Sequence, residues 1–385
     1  MEILFVSHKY PPATGGMERQ SFELINGMRK LVKVHALVYE GKESRLRFFR
    51  LLNKRIHKII KDNPGITVIH FNDGLIAAFS LFITRNIRLK RAITLHGLDV
   101  VFPSSIYQRL ILPLFNKFDL IIAVSRATAA ACEARGIAKE KIVVVNNGVD
   151  ISSVIRMERK DVDQLLLQQY QVAAQGKRLL IAMGRPVKRK GFSWFVRNVM
   201  PHLHDDFMLL FIGPVFSQSK SLAFFNVLPA FLRKKIELLL GLPSDEYAIE
   251  NEIKNQTGDR VKRLGRLPFA DIKAILSAAD AFIMPNIEVE GDMEGFGLVC
   301  LEAAMCGANV FASASGGITD AIIPNENGIL LSPGDSAAWI KTLNTLAEQP
   351  DAIRLDPDKI ISFTRDHFNW QKMCTEYQAR FSGLK

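Results

Sequence analysis

Short apolar runs alternate, from one end of the chain to the other, with longer stretches in which apolar positions recur every three or four residues. Such alternation is how a parallel sheet with helices on both faces reads. The runs predict strands at 2–7, 34–38, 68–71, 91–95, 120–124 and 141–145. A second series is predicted at 178–182, 208–212, 261–264, 281–284, 309–312 and 328–331. The expected architecture is therefore α/β, with two Rossmann-like doubly wound domains facing across a cleft. The turn cluster Asn146-Asn147-Gly148-Val149-Asp150 and a charged helical stretch at 161–171 separate the two series, which puts the boundary near residue 165.

Folds of this class bind ligands beyond the carboxyl ends of their strands, and four loops there carry candidate chemistry. The first strand runs into Lys9 and a Gly15-Gly16 pair just before a helix, where backbone amides can approach an anion. An ordinary turn is the alternative. The first strand of the second series ends in Gly184-Arg185-Pro186-Val187-Lys188-Arg189-Lys190-Gly191, four cations within six residues, of which Arg185 and Lys190 are the candidates for clamping phosphates. A solvated loop is the alternative here. The third loop, Asp292-Met293-Glu294-Gly295-Phe296-Gly297-Leu298-Val299-Cys300-Leu301-Glu302, opens a helix whose first amides can receive ligand oxygens. Glu294 and Glu302 would be separated by about 12 Å along a helix. A glycosidase carboxylate pair sits roughly 5–9.5 Å apart, so these two acids are expected to grip separate parts of one elongated ligand. The fourth loop places His96 between Leu95 and Gly97, again at a strand end.

Taken in order, these residues resemble the family 4 retaining glycosyltransferases of the GT-B fold, and the likeness covers nearly the whole chain. It rests on Gly15-Gly16, Leu95-His96-Gly97, Asn147-Gly148-Val149-Asp150, Gly184-Arg185 with Lys190-Gly191, Glu294-Gly295-Phe296-Gly297 with Glu302, and Ser315-Gly316-Gly317 followed by Asn327-Gly328. The resemblance implies that Glu294 binds hydroxyls of the transferred sugar and Glu302 the ribose. It implies that Arg185 and Lys190 hold the diphosphate, with amides at Gly15 or Gly16 and at Leu298 and Val299. Gly295, Phe296 and Gly297 would orient the sugar, His96 would touch it from the other domain, and the base would lie near 263–267, with Arg266 as the named side chain. Asp320 stands where the family more often has Glu. The segment 363–385 resembles the last helix of the family, which crosses back onto the first domain, so the expected division is 1–165, 166–362 and 363–385.

The implied substrates are a UDP- or GDP-linked sugar and a glycan or lipid-linked acceptor. No cofactor and no metal are expected. Fixed cations and amides can stabilise a leaving diphosphate, and the DxD match Asp161-Val162-Asp163 lies in a helix predicted to be surface.

Composition changes this picture in one respect. The 385 residues, 48% hydrophobic, carry a formal charge of +11. Residues 1–150 hold 23 basic and 12 acidic side chains, which leaves 27 and 27 of the total 50 and 39 for the rest, so the whole excess lies in the first part. Disorder, collagen and a small disulfide scaffold are excluded. Cys132, Cys300, Cys306 and Cys374 form no CxxC or Cys/His cluster, which fits a reducing cytosol. The start Met1-Glu2 lacks the basic region of a signal peptide, and no run approaches the roughly 18 apolar residues of a membrane span. The expected location is the cytoplasm, peripheral on the inner face of the cell membrane.

Much of the positive charge falls on 42–61, with Lys42, Arg45, Arg47, Arg50, Lys54, Arg55, Lys58 and Lys61 against Glu43. Leu46, Phe49, Leu52, Ile56 and Ile59 form its expected apolar stripe, with Phe48 on the opposite side and available to a lipid surface. Its cations suit an anionic membrane, and a stripe packed on the sheet with the cations in water is the alternative. Nucleic acid is disfavoured, because no recognition motif accompanies the cations. Alternatives to the transferase reading are an enzyme acting on a soluble small acceptor and a nucleotide-sugar binding protein without turnover.

Overall fold

The computed structural model describes residues 1–81, 89–151, 156–216, 244–255 and 259–384. Among them twelve strands form at the positions the apolar runs predict, and they build two sheets. The first contains β1 (Glu2–Ser7), β2 (Lys33–Val38), β3 (Ile66–Phe71), β4 (Lys90–Leu95), β5 (Leu120–Ala123) and β6 (Ile142–Val144), in the order β2-β1-β3-β4-β5-β6. The second contains β7 (Arg178–Met183), β8 (Phe207–Ile212), β9 (Val261–Gly265), β10 (Ala281–Met284), β11 (Val310–Ser313) and β12 (Ile329–Leu331), in the order β12-β11-β10-β7-β8-β9. Every pairing within them is parallel.

Parallel neighbours need helical crossovers, and those helices bury both faces of the strands. In β1 the consecutive residues Ile3, Leu4, Phe5 and Val6 are all inaccessible. Ile3 and Phe5 pack with Leu24, Ile25 and Met28 of the helix Gly16–Met28, while Leu4 and Val6 share the opposite core with Leu52 and Ile56. In each sheet the direction of winding reverses once, between β1 and β3 in the first and between β7 and β10 in the second. Those two places determine where an open α/β sheet holds a ligand.

The chain divides into two compact units, 1–148 with 368–385, and 149–367. The first thus ends at Gly148, earlier than the expected 165. The helix Arg159–Tyr170 belongs to the second unit because it buries Val162 and Leu166 in that unit's core. Gly148 itself is hemmed in by the backbone of Asn369 and Trp370, so no side chain fits there. The returning segment starts at Phe368, later than 363, because Asn369 caps a new helix, Trp370–Ser382, by accepting from the Lys372 amide at 2.7 Å. On that helix Tyr377 and Phe381 are buried with β1. The Tyr377 hydroxyl lies 2.9 Å from Thr94 Oγ1, whose other neighbour at 2.8 Å is His70 Nε2. Burial pushes the His70 imidazole down to about 3, so it is a neutral core residue.

The helix Arg45–Asp62 forms as its pattern predicts, capped by Ser44, but its orientation differs from the expected one. Phe48, Leu52 and Ile56, at a spacing of four, are its buried side, and Leu46 is 82% exposed. Phe48 meets Tyr39 edge-on at 5.4 Å, an apolar contact at the end of β2 that Leu46 is not positioned to make. Phe48 is therefore core, not a lipid-facing side chain. Phe48→Ala should lower stability by about 3–5 kcal/mol and Leu46→Ala by less than about 0.5 kcal/mol; urea unfolding followed by circular dichroism distinguishes the two, and equal effects would reverse the assignment.

Candidate active site

In the second unit the loop after β7 and the loop after β10 leave the sheet side by side, because β7 and β10 are paired neighbours at the reversal. The first loop turns through Lys188–Lys190 to Gly191. Gly191 adopts φ +66°, and a Cβ there would overlap the carbonyl oxygen of Pro285 in the second loop. The close approach is locked by the Ile287 amide donating to the Arg189 carbonyl at 3.0 Å.

That contact brings together cations and carboxylates that are a hundred residues apart in sequence. Lys190 Nζ lies 2.9 Å from Glu294 Oε2, Arg189 Nη1 pairs with the same oxygen, and Arg189 Nε donates to Asp292 Oδ1 at 3.1 Å. Asn286 Nδ2 adds a 3.4 Å contact to Glu294 Oε2. The four charged side chains are each at most 15% exposed. Burial would push the Glu294 carboxyl up, but the Arg189 guanidinium and the Lys190 ammonium outweigh it and hold it at about 2. Burial shifts Lys190 the other way, below the ordinary lysine range, with Glu294 opposing. The cluster is therefore a neutral assembly of two cations and two anions.

Beyond Glu294 the chain enters the helix Leu298–Met305. Gly297 precedes it at φ +90°, and no side chain caps the helix start, which leaves its first amides facing outward from Leu298 and Val299. Phe296 is buried. The loop at Ser315-Gly316-Gly317 supports this turn from behind. The Gly317 amide donates to the Glu294 carbonyl at 2.8 Å, and a Cβ on Gly317 would overlap the carbonyl oxygen of Gly295. Glu302 is half-buried one turn further along, between the inaccessible Leu301 and Ala303.

Lys190 on the β7 loop thus adjoins a continuous stretch after β10 that carries Glu294, Gly295, Phe296 and Gly297 in the loop and Leu298, Val299 and Glu302 in the helix that follows. Arg185 is exposed on the same β7 loop. Arg266 is exposed at the end of β9, two strands from β7, and the nearby Arg263 is engaged by Glu246 at 3.1 Å. In the first unit, the backbone at Gly15 is extended before the helix Gly16–Met28, and the buried Glu18 carboxylate lies against Gly15 with Lys9 at 3.6 Å. A phosphate at those amides would meet a like charge. His96 is half-buried at the end of β4, where its Nε2 lies 2.8 Å from the Asn72 carbonyl oxygen.

Sequence reasoning missed Arg189, Asp292 and Asn286. Arg189 was visible only as one of four loop cations; nothing in the spacing shows that it turns inward beside Lys190. Asp292 stood two residues from Glu294 and carried no signal of its own.

Two families match this chain. Residues 163–362 match the family described as glycosyl transferases group 1, and residues 14–153 match glycosyltransferase family 4. The protein belongs to the group 1 glycosyl transferases, with a family 4 glycosyltransferase region in its first part. Among solved structures it is similar to Alr3699/HepE of Anabaena in complex with UDP-glucose, at 21% identity and a TM-score of 0.71 over 99% of each chain, a likeness of fold. The uncharacterized glycosyltransferase MJ1069 of Methanocaldococcus jannaschii is 23% identical over 272 residues, 70% of this chain and 60% of the relative. WcaL of Salmonella typhimurium, named as a colanic acid biosynthesis glycosyltransferase, is 25% identical over 280 residues, 71% of this chain and 59% of the relative. The chain matches about 60% of the length of these curated relatives.

Because Glu294 keeps a depressed pKa in the folded protein, the stability it contributes is present above its ordinary value of 4.5 and is lost as the pH falls toward about 2. Glu294→Ala, which leaves two buried cations without their carboxylate, should cost about 3–5 kcal/mol at pH 7. The deficit should narrow as the pH drops below 4.5, and adding Lys190→Met should recover part of it. Melting curves of the three proteins between pH 7 and pH 3 measure this.

Proposed function

We propose that the protein is a metal-independent retaining hexosyltransferase that moves a glucosyl, mannosyl or similar residue from a nucleoside diphosphate sugar to a glycan or lipid-linked acceptor. The observation that carries this reading is the Glu294 carboxylate, held ionised between Arg189 and Lys190 at the point where the winding of the second sheet reverses. A nucleoside diphosphate sugar is elongated and bears its charge in the middle. The site matches that distribution with cations on the β7 loop, outward-facing amides at Leu298 and Val299, and carboxylates on either side at Glu294 and Glu302.

The roles follow from charge. Breaking the bond between the anomeric carbon and the phosphate oxygen leaves a diphosphate whose negative charge grows in the transition state, and fixed cations aimed at it lower the barrier. Arg189 and Lys190 are already balanced by Asp292 and Glu294, and the exposed Lys188 adds a further cation to this loop. An incoming diphosphate draws Lys190 away from Glu294, which frees that carboxylate to accept from sugar hydroxyls. In the retaining sequence the acceptor oxygen bonds to the anomeric carbon on the face that the diphosphate leaves, and the departing phosphate oxygen takes the acceptor proton. Support for the donor class comes from the Anabaena neighbour, whose structure holds UDP-glucose, and support for a surface glycan from WcaL, named for colanic acid biosynthesis.

With UDP-, GDP- and ADP-sugars as a panel, one donor should raise the melting temperature by mass action and release its nucleoside diphosphate. Lys190→Met should lower kcat for that release by about 10²–10³-fold, and EDTA should leave the wild-type rate unchanged. Binding of every donor without release of diphosphate would favour the non-catalytic alternative.

The acceptor reading extends to an anionic membrane surface. Arg45, Arg47, Arg50, Lys54, Lys58 and Lys61 are exposed on the helix Arg45–Asp62, while Arg55 is held by Glu43 at 3.0 Å. Leu46 projects among them, and each exposed cation near an anionic leaflet is worth about 1 kcal/mol. Among the described residues no helix is long and apolar enough to cross a membrane. The protein should float with phosphatidylglycerol vesicles at low salt, and Arg45→Glu with Arg50→Glu should abolish flotation; equal recovery with neutral vesicles would leave the basic helix as a solvated face.

A further inference from the structure

The two cations beside Glu294 are not held alike. Arg189 is joined to the β10 loop three times: its carbonyl accepts from the Ile287 amide at 3.0 Å, its Nε donates to Asp292 Oδ1 at 3.1 Å, and its Nη1 pairs with Glu294 Oε2. Asp292 is itself fixed, since its amide donates to the Val289 carbonyl at 3.0 Å. A planar guanidinium forked between two carboxylates loses both contacts if it moves. Lys190 has one carboxylate contact, to Glu294 Oε2 at 2.9 Å, and its other neighbour is the weak acceptor Met284 Sδ at 3.6 Å. Its side chain runs past Gly184 at the end of β7, where a Cβ would sit 3.4 Å from Cε and 3.8 Å from Nζ. Lys190 is therefore the cation at the strand end, where an open α/β sheet takes its ligand, and Arg189 is the one tied to the loop.

The Glu294 carboxylate is held by one oxygen only. Arg189 Nη1, Lys190 Nζ and Asn286 Nδ2 all converge on Oε2, and among the described residues no hydrogen bond or ion pair engages Oε1. Oε1 is thus the atom left to accept from a ligand hydroxyl. Once Lys190 turns to an anion, the burial of Glu294 is opposed by one cation instead of two, and that cation has to keep the group ionised and Oε2 in place. The other titratable groups around the cluster, Asp292, Cys300 and Glu302, supply no positive charge. Burial pushes the Cys300 thiol up to about 12, so it stays neutral.

We propose that Arg189, anchored by Asp292, is a positioning residue: it stays with Glu294 and aims Oε1 at the transferred sugar while Lys190 serves the diphosphate. The role of Oε1 rests on the transferase reading above, whereas the division into a fixed and an exchangeable cation rests only on the geometry of the second unit. Arg189 touches neither phosphate nor sugar and acts through Glu294.

The test compares two variants of the full chain: Lys190→Met, and the double exchange Arg189→Gln with Asp292→Asn, which removes one charge of each sign and leaves the cluster neutral. UDP, GDP and ADP are titrated by calorimetry, and the tightest binder is kept. Lys190→Met should weaken it by about tenfold or more, and the double exchange should change it by less than about twofold. Equal losses would make Arg189 a phosphate ligand and overturn the proposal. With the matching nucleoside diphosphate sugar, the double exchange should lower kcat for diphosphate release by about 10–10²-fold with KM within about threefold of wild type. Arg189→Lys, which keeps the charge but not the fork, should recover part of that loss. A second readout needs no donor: with glutamate labelled at ¹³Cδ, the Glu294 signal is assigned by its absence in Glu294→Gln and titrated. In the Lys190→Met background, which imitates the departure of that cation, adding the double exchange should raise the Glu294 midpoint by more than about one pH unit, because the guanidinium has gone and burial remains. A midpoint that the exchange leaves unchanged overturns the proposal even if turnover falls. A carboxyl that titrates as stated, in a protein that turns over none of the donors, supports the fixed cation and overturns the transferase reading instead.

Discussion

Parallel strands cannot be joined by tight turns, so each crossover has to climb one face of the sheet, and the winding can change direction only where two crossovers leave to opposite sides. That constraint governs both halves of this protein. Between β7 and β10 it opens a gap into which the β7 and β10 loops descend together, and between β1 and β3 it does the same for His8 and Asp73. The remaining helices and strands supply the buried apolar surface that holds those loop ends in register.

In the second unit the gap is filled by charge. Taking Arg189, Lys190, Asp292 and Glu294 out of water is costly, and their near neutrality is what makes the arrangement tolerable in a place where none is more than 15% exposed. A neutral, preorganised cluster can hand one cation to an incoming anion without losing the other. The surrounding glycines serve that geometry. Gly191 lets the two loops touch, Gly297 turns the chain into the helix, and Gly317 lets the supporting loop press against the Glu294 carbonyl. In the first unit the same kind of gap brings His8 against Asp73.

Much of this was legible in the chain. Twelve apolar runs marked twelve strands because strands buried on both faces need continuous apolar residues, and Gly-rich or charged loops at their ends marked Lys190, Glu294 and His96. Helix 45–62 was legible as an element but not in its rotation: Leu46, Phe48 and Phe49 are all apolar, and only the packing of Phe48 with Leu52 and Ile56 in the core of the first sheet makes it the fully buried one. The boundary at Gly148 was misjudged because the helix Arg159–Tyr170 is polar on most of its surface, and the two residues that tie it to the second core, Val162 and Leu166, carry little weight in a pattern.

The sequence by itself determined the kind of fold, the division into two sheets, the uneven distribution of charge and the loops that hold the candidate site, since all of these follow from local periodicity and residue type. The tertiary structure alone decided partners. That Arg189 and Lys190, of four neighbouring cations, turn inward goes with the Ile287 amide reaching the Arg189 carbonyl. That His8 meets Asp73 depends on β1 and β3 lying side by side. Pairings across 65 or 105 residues are set by strand order and by the close approach of backbones, which leave no periodic trace in the chain.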